Sequence, residues 1–173
     1  LSQRIGVSPW YWWADVAPTL ASTITVEGAV TKQGEPSVRY RGIFINDEEN
    51  LTAWAAAKMD AGKKIGPETY KRVFELLLRL KANFLWPAMH EASDEFNKYP
   101  ENAQNADRYG IVMGSAHPEM LLRNNVKEWG PWASSHTSGS GAPEYDYSVN
   151  PQVIYDYWDH RVQRNGTYEN AYS

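Results

Sequence analysis

Residues 38–47 (VRYRGIFIND) decide the fold of this chain, because an apolar run there is followed at once by polar residues. The run at residues 43–45 predicts a buried strand. Asn46, Asp47 and Glu48 follow directly at its carboxyl end. A buried strand that leads into polar groups is typical of parallel α/β folds, in which ligands bind at the carboxyl edge of the sheet.

The residues that follow alternate between helical and strand patterns. Asn50 is a candidate N-cap, Pro67 suits the first position of a helix, and Gly110 suits a helix end. The predicted elements are helices at 50–59, 67–81 and 102–109 and strands at 83–88 and 111–115. This order predicts right-handed parallel βαβ units with both faces of the sheet covered.

Two further regions flank these units. The aromatic run at residues 10–16 and the alternating residues 23–26 predict strands, so residues 1–37 are interpreted as the tail of a β-containing domain and a linker. Residues 38–173 form the second predicted domain. Its last part is predicted as a helix at 120–129, an exposed loop at 130–143 and a helix at 150–165.

Composition excludes several function classes. The net charge is −4 and the basic residues are scattered, which argues against a nucleic-acid partner. The longest apolar run is far short of the roughly 20 residues of a membrane span, so no membrane partner is predicted. Cysteine is absent and the four histidines lack the spacing of a zinc site, so neither a metal nor a cofactor is predicted.

The carboxyl ends of the three predicted strands collect the candidate site residues. Carboxylates, imidazoles and an indole on one edge suit glycosidic chemistry, which needs an acid, a base and a face on which a sugar can stack. The candidates are Asn46, Asp47 and Glu48 after the first strand, Trp86 and His90 after the second, and His117 and Glu119 after the third.

Several of these candidates have a purely structural alternative. Asp47 and Glu48 could cap the helix that follows them. His117 could be a hydrogen-bonded structural histidine. Trp86 could fill the interior of a barrel, and the 13% aromatic content could serve core packing alone.

Four segments, in the same order along the chain, resemble signature segments of glycoside hydrolase family 115, the xylan α-glucuronidases. The resemblance covers nearly the whole chain and becomes weaker after Met120. The segments are 8–16 (SPWYWWADV), 40–48 (YRGIFINDE), 73–83 (VFELLLRLKAN) with 85–89 (LWPAM), and 109–114 (YGIVMG) with His117.

The resemblance implies an α/β fold: about the first three βα units of an incomplete (β/α)₈ TIM barrel, preceded by the end of a small α/β domain. It implies a secreted enzyme that removes (4-O-methyl)glucuronic acid α-1,2-linked to xylan, with inversion. Asp47 is then catalytic, and Asp47 and His117 line the uronate pocket. The second acid/base carboxylate lies on later strands. The implied partner is glucuronoxylan or a uronic-acid-decorated oligosaccharide, and the implied full-length parent is a homodimer.

Two departures from the family pattern concern the second and third strands. His90 stands where the family commonly has Trp, and Pro118, Glu119 and Met120 replace the usual order after the histidine. The alternative from another class is a noncatalytic carbohydrate-binding or structural barrel remnant. No signal peptide is visible at residues 1–6, so we expect a longer gene product, and three βα units alone are expected to be inactive or unstable.

Overall fold

The computed structural model describes residues 2–46, 49–116, 119–139 and 141–169. Three short parallel strands and five α-helices lie within these ranges. The strands are β1 (Gly42–Phe44), β2 (Phe84–Trp86) and β3 (Val112–Met113). The helices are α1 (Glu49–Lys58), α2 (Pro67–Arg79), α3 (Pro100–Tyr109), α4 (Asn125–His136) and α5 (Pro151–Asn165). None of the helices described here has the length and apolar character needed to span a membrane.

The sheet has the strand order β1-β2-β3, and both strand pairs are parallel. Phe44 lies opposite Trp86, and Leu85 lies opposite Met113. Strands that are neighbours in sequence are therefore neighbours in the sheet, with helices between them. This arrangement confirms the predicted α/β class and the predicted parallel pairing.

The two faces of the sheet differ. Ile45, Leu85 and Met113 are buried in one apolar core with residues of α2 and α3. Alternation along a strand places the neighbouring side chains on the opposite face, where Phe84 and Trp86 lie. In the described ranges, α2 and α3 cover the face that carries Leu85 and Met113. Cover of the opposite face stays a prediction.

Local signals explain where the helices begin and end. Pro67 takes the first position of α2, as predicted, but the cap comes from the buried Asp60, whose carboxylate accepts hydrogen bonds from the backbone N–H groups of Gly66 and Glu68. Gly110 ends α3 in the left-handed conformation, also as predicted. Asn50 lies inside the first turn of α1, so its predicted role as N-cap is wrong.

The two strands predicted in the N-terminal region are wrong. Residues 9–14 form turns, in which the N–H of Ala14 donates to the carbonyl of Trp10. Residues 23–26 are exposed and irregular. The aromatic rings of the first run pack against α2 and Trp54 instead of against a neighbouring strand. The predicted domain boundary between residues 37 and 38 stays a prediction.

The C-terminal region is more helical than predicted. A short turn at Met120–Leu122 precedes α4, which runs through Pro131 to His136 where a loop was expected. Trp129 and Ala133 of α4 are buried against α5, and this packing explains why the helix continues past the proline. The helix predicted at 150–165 is confirmed as α5.

Candidate active site

The carboxyl ends of the strands meet at one edge. The N–H of Ile45 donates to the carbonyl of Trp86 at 3.0 Å, and the N–H of Gly114 donates to the carbonyl of Leu85 at 3.0 Å. These bonds extend the pairing one residue beyond the strands. Asn46, the next residue after Ile45, is exposed at this edge, as expected for a ligand-binding position.

Trp86 lies half exposed on the sheet face that the helices leave open. Its exposed fraction is 38%, and its ring meets Phe44 edge to face at 5.8 Å. Gly114 makes room for the indole, because a Cβ there would come within 2.6 Å of Trp86 Nε1. Trp86 is thus neither part of the helix-covered core nor fully exposed, and this position suits a ring that stacks on a sugar.

The loop after β2 holds His90 through its backbone. The carbonyl of His90 accepts hydrogen bonds from the N–H and the hydroxyl of Ser93, at 3.1 and 3.0 Å. His90 Nδ1 accepts from the N–H of Ala92 at 3.3 Å. Tyr70 on α2 accepts from the N–H of Ala88 at 3.2 Å. His90 therefore sits on a loop that hydrogen bonds hold on both sides.

Asp94 anchors the far end of the same loop. Its carboxylate accepts from the N–H of Lys64 at 2.9 Å, from Lys98 Nζ at 2.7 Å and from the Tyr99 hydroxyl at 2.8 Å. Burial raises the pKa of Asp94, but these hydrogen bonds outweigh it and hold the pKa below the ordinary value. A charged Asp94 thus joins the loop to the segment before α2.

Glu119, on the loop after β3, is buried with 7% exposed. Its N–H donates to the carbonyl of Ala116 at 3.0 Å. Asn124 joins this loop to the previous one, since its side-chain amide donates to the carbonyl of Met89 at 3.1 Å. The segments that carry Glu119 and His90 are therefore connected by a direct hydrogen bond.

Three of the predicted site residues lie outside the described residues. They are Asp47, Glu48 and His117. Their predicted roles stay predictions from the sequence. The predicted roles of Asn46, Trp86, His90 and Glu119 in binding substrate also stay predictions, although the structure gives the surroundings of these four.

A buried charged cluster behind the β3 loop was not predicted from the sequence. Arg123 and Arg161 are 3% and 1% exposed, and Glu128 lies between them. Burial and the neighbouring Arg161 lower the pKa of Arg123 to about 10. Burial and the same two arginines lower the pKa of His160, which Arg123 contacts at 3.1 Å.

The sequence carries one signal for this cluster. Ile154, Tyr157 and Arg161 are spaced at three and four residues, which puts them on one face of a helix. A charged residue on an otherwise apolar face indicates a buried ion pair or a functional contact. The apolar residues of α5 alone do not identify this arginine.

The described edge presents the exposed side chains of Asn46, Trp86 and His90, an amide, an indole and an imidazole. In the described ranges, no group of three histidine or acidic residues is arranged to hold a metal ion. The expected absence of a metal or cofactor stays a prediction.

Comparisons with known proteins agree on one family. The sequence model of glycosyl hydrolase family 115 matches residues 33–173. Among solved structures, a family GH115 4-O-methyl-α-glucuronidase with specificity for decorated arabinogalactans is similar, with a TM-score of 0.79 and 39% sequence identity. The match covers 94% of this chain and 21% of that chain, so this chain spans about a fifth of the length of the relative. The comparison with curated proteins finds no significant match.

Proposed function

Because this chain belongs to glycosyl hydrolase family 115, we propose that it is the opening part of the catalytic barrel of an α-glucuronidase. The parent enzyme removes glucuronic acid or 4-O-methylglucuronic acid from a decorated plant polysaccharide. The observation that carries this proposal is the 39% identity, over 94% of this chain, to a 4-O-methyl-α-glucuronidase of the same family.

The architecture supports a barrel. In a (β/α)₈ barrel the strands follow one another in sequence order, the helices form the outer ring, and the inner face is filled by strand side chains. The described sheet has that strand order, with helices on one face and Phe84 and Trp86 on the other. In this proposal the parent supplies the remaining strands, and residues 1–37 belong to the preceding domain.

The proposed chemistry is inverting hydrolysis by two carboxyl groups roughly 6.5–9.5 Å apart. Asp47 is one of them and orients or activates the attacking water. The other protonates the leaving oxygen and comes from a later strand. The remaining predicted residues bind the sugar: Asn46, Glu48, Trp86, His90, His117 and Glu119.

Two classes of polysaccharide are candidate substrates. The resemblance of the signature segments favours α-1,2-linked uronic acid on xylan. The solved relative acts on decorated arabinogalactans, and this favours uronic acid on arabinogalactan as a second candidate. The departures at His90 and around Glu119 lie at the proposed subsite, so they are the positions at which the two preferences would differ.

Product analysis with the full-length parent enzyme tests the proposal. The enzyme is incubated separately with glucuronoxylo-oligosaccharides and with a uronic-acid-decorated arabinogalactan, and released uronic acid is followed by proton NMR. We expect release from at least one substrate, with the β-anomer appearing first, because inversion converts an α-linkage into a β-product. Carboxyl-reduced substrates serve as the control. No release from either substrate would overturn the activity, and an α-anomer formed first would overturn the inverting mechanism.

Secretion and dimer formation complete the proposal. A polymeric plant substrate lies outside the cell, so the parent enzyme is expected in the periplasm or the medium. Fractionation of a producing culture tests this, and an enzyme found only in the cytoplasm would contradict it.

The homodimer is tested by measuring the molar mass of the parent enzyme in solution by light scattering.

A further inference from the structure

We propose that Arg161 is a positioning residue for the proposed active site. Its buried guanidinium holds the loop that follows β3 at Leu122 and, through Glu128, at Asn124, the residue that binds the loop that follows β2. This inference rests on the proposed function, since it deepens the account of the same site. It concerns a residue of α5, which carries none of the predicted site residues.

The loop after β3 contains an unfavourable backbone conformation. Leu121 has φ 59° and Leu122 has φ 58°, so two successive leucines adopt the left-handed conformation. Side chains other than glycine are crowded there, because the Cβ approaches the following carbonyl oxygen. Such conformations persist only when the surrounding structure enforces them, and they concentrate at functional sites. Glu119 lies two residues before Leu121.

Arg161 makes one of the contacts that hold this backbone conformation. Its Nη1 donates a 2.6 Å hydrogen bond to the backbone carbonyl of Leu122. The Asn97 side chain donates to the same carbonyl at 3.3 Å. Arg161 is 1% exposed and the Leu122 side chain is buried in the main core, so water does not compete for this contact.

The other arm of the guanidinium is linked to the loop after β2 only through Glu128 and Asn124. Arg161 Nη2 donates to one carboxylate oxygen of Glu128. The other oxygen of Glu128 accepts from the N–H of Asn124 at 2.7 Å. The Asn124 amide donates to the carbonyl of Met89, the neighbour of His90. Arg161, Glu128 and Asn124 thus form one chain of contacts from the segment beside Glu119 to the segment beside His90.

This geometry needs an arginine. The planar fork of a guanidinium holds two acceptors in fixed directions at once, whereas the ammonium of a lysine is a single point charge on a flexible stem. Stability alone does not explain the residue, because a buried ion pair is often no more stabilising than apolar residues of the same volume. A fixed relation between the two loops does explain it.

The test uses kcat/KM of the full-length parent enzyme on its best uronic-acid-decorated oligosaccharide. Arg161→Lys keeps the charge and loses the fork, so we expect kcat/KM to fall by about 10- to 100-fold, since a displacement of about 1 Å can cost about 10²-fold. The matched control is Arg79→Lys, a helix arginine paired with Glu75, and it is expected to keep the wild-type value.

A variant that relieves the backbone strain distinguishes a positioning role of Arg161 from a general contribution to stability. Asn tolerates the left-handed conformation better than Leu, so adding Leu121→Asn to Arg161→Lys should restore part of the lost kcat/KM. Leu121→Asn alone, added to the wild type, should leave kcat/KM unchanged. If Arg161→Lys does not fold, Glu128→Gln is the second test, because it weakens the same connection and should also lower kcat/KM.

The outcomes distinguish this inference from the proposed function. A wild-type parent that releases no uronic acid overturns both. An active wild type with unchanged kcat/KM in Arg161→Lys, or in Glu128→Gln where the first variant does not fold, overturns the positioning role alone. Loss of kcat/KM without any recovery by Leu121→Asn also overturns it.

Discussion

The hydroxyl of Tyr11 donates a hydrogen bond of 3.0 Å to the carboxylate of Glu75, 64 residues further along the chain. Glu75 also accepts from Arg72 at 2.9 Å and from Arg79 at 3.0 Å. The Arg79 guanidinium in turn lies 4.8 Å from the centre of the Tyr11 ring. The N-terminal aromatic segment is therefore attached to α2 by a partly buried charged network.

We predict that Tyr11→Phe lowers the free energy of unfolding by about 1 kcal/mol, because the ring is kept and only the hydrogen bond to a charged acceptor is lost. The measurement is urea unfolding of the full-length parent enzyme, with Tyr155→Phe as the control, since Tyr155 is 55% exposed. Equal effects of the two substitutions would show that the contact with Glu75 adds nothing to stability.

Asp94 makes the stability of the β2 loop depend on pH. Its pKa is lowered in the folded state, because its hydrogen bonds to Lys98, Lys64 and Tyr99 outweigh the effect of burial. The unfolded chain therefore takes up the proton at a higher pH than the folded chain. The stabilisation is fully present above the unfolded pKa of about 3.9 and is lost as pH falls through the lower folded pKa.

We therefore expect the wild type to lose more unfolding free energy between pH 7 and pH 3 than Asp94→Asn does. At pH 7 the variant is the less stable of the two, since it has lost the charged partner of Lys98. Urea unfolding at several pH values measures both effects, and Asp107→Asn, at an exposed position, is the control. An identical pH dependence in Asp94→Asn and in the wild type would refute the role of Asp94.

Gly114 provides a test of the Trp86 position that leaves Trp86 itself intact. A Cβ at Gly114 would lie 2.6 Å from both Phe84 Cζ and Trp86 Nε1, so Gly114→Ala must displace a ring. We expect kcat/KM of the parent enzyme to fall by about tenfold or more, because small displacements of binding groups are costly. The control is Gly130→Ala, where an added Cβ has nothing within 4 Å. A wild-type kcat/KM in Gly114→Ala would show that the position of the Trp86 ring does not matter for substrate binding.

Much of the α/β region is predictable from the sequence. Pro67 marks the start of α2 and Gly110 marks the end of α3, because each acts through its own backbone conformation. The apolar run at residues 43–45 marks β1 through its pattern. The carboxyl ends of the strands follow from this order. For that reason Asn46, Trp86 and His90 could be assigned to one edge.

The errors arise where tertiary packing overrides local preference. The aromatic run at residues 10–16 matches a strand pattern, but aromatic preference for strands reflects packing on a half-buried surface. Here α2 and Trp54 provide that surface, and the backbone forms turns. The Ser and Gly content of residues 130–143 predicts a loop, yet Trp129 packs against α5 and the helix continues to His136. Arg161 lies on the same helix face as Ile154 and Tyr157, but its contacts with Leu122 and Glu128 depend on tertiary packing.

We propose above that the parent enzyme is an α-glucuronidase in which Asp47 carries out acid–base chemistry. Asn caps a helix about as well as Asp, so Asp47→Asn tests the chemistry and leaves the capping alternative satisfied. The decisive measurement is the rate of glucuronic acid release from decorated oligosaccharides by the full-length parent enzyme and its Asp47→Asn variant, with Asp107→Asn as the control. We predict a rate about 10²–10⁴-fold below wild type for Asp47→Asn and a wild-type rate for the control. Release at the wild-type rate by Asp47→Asn would contradict a role of Asp47 in the chemistry and leave it as a helix cap.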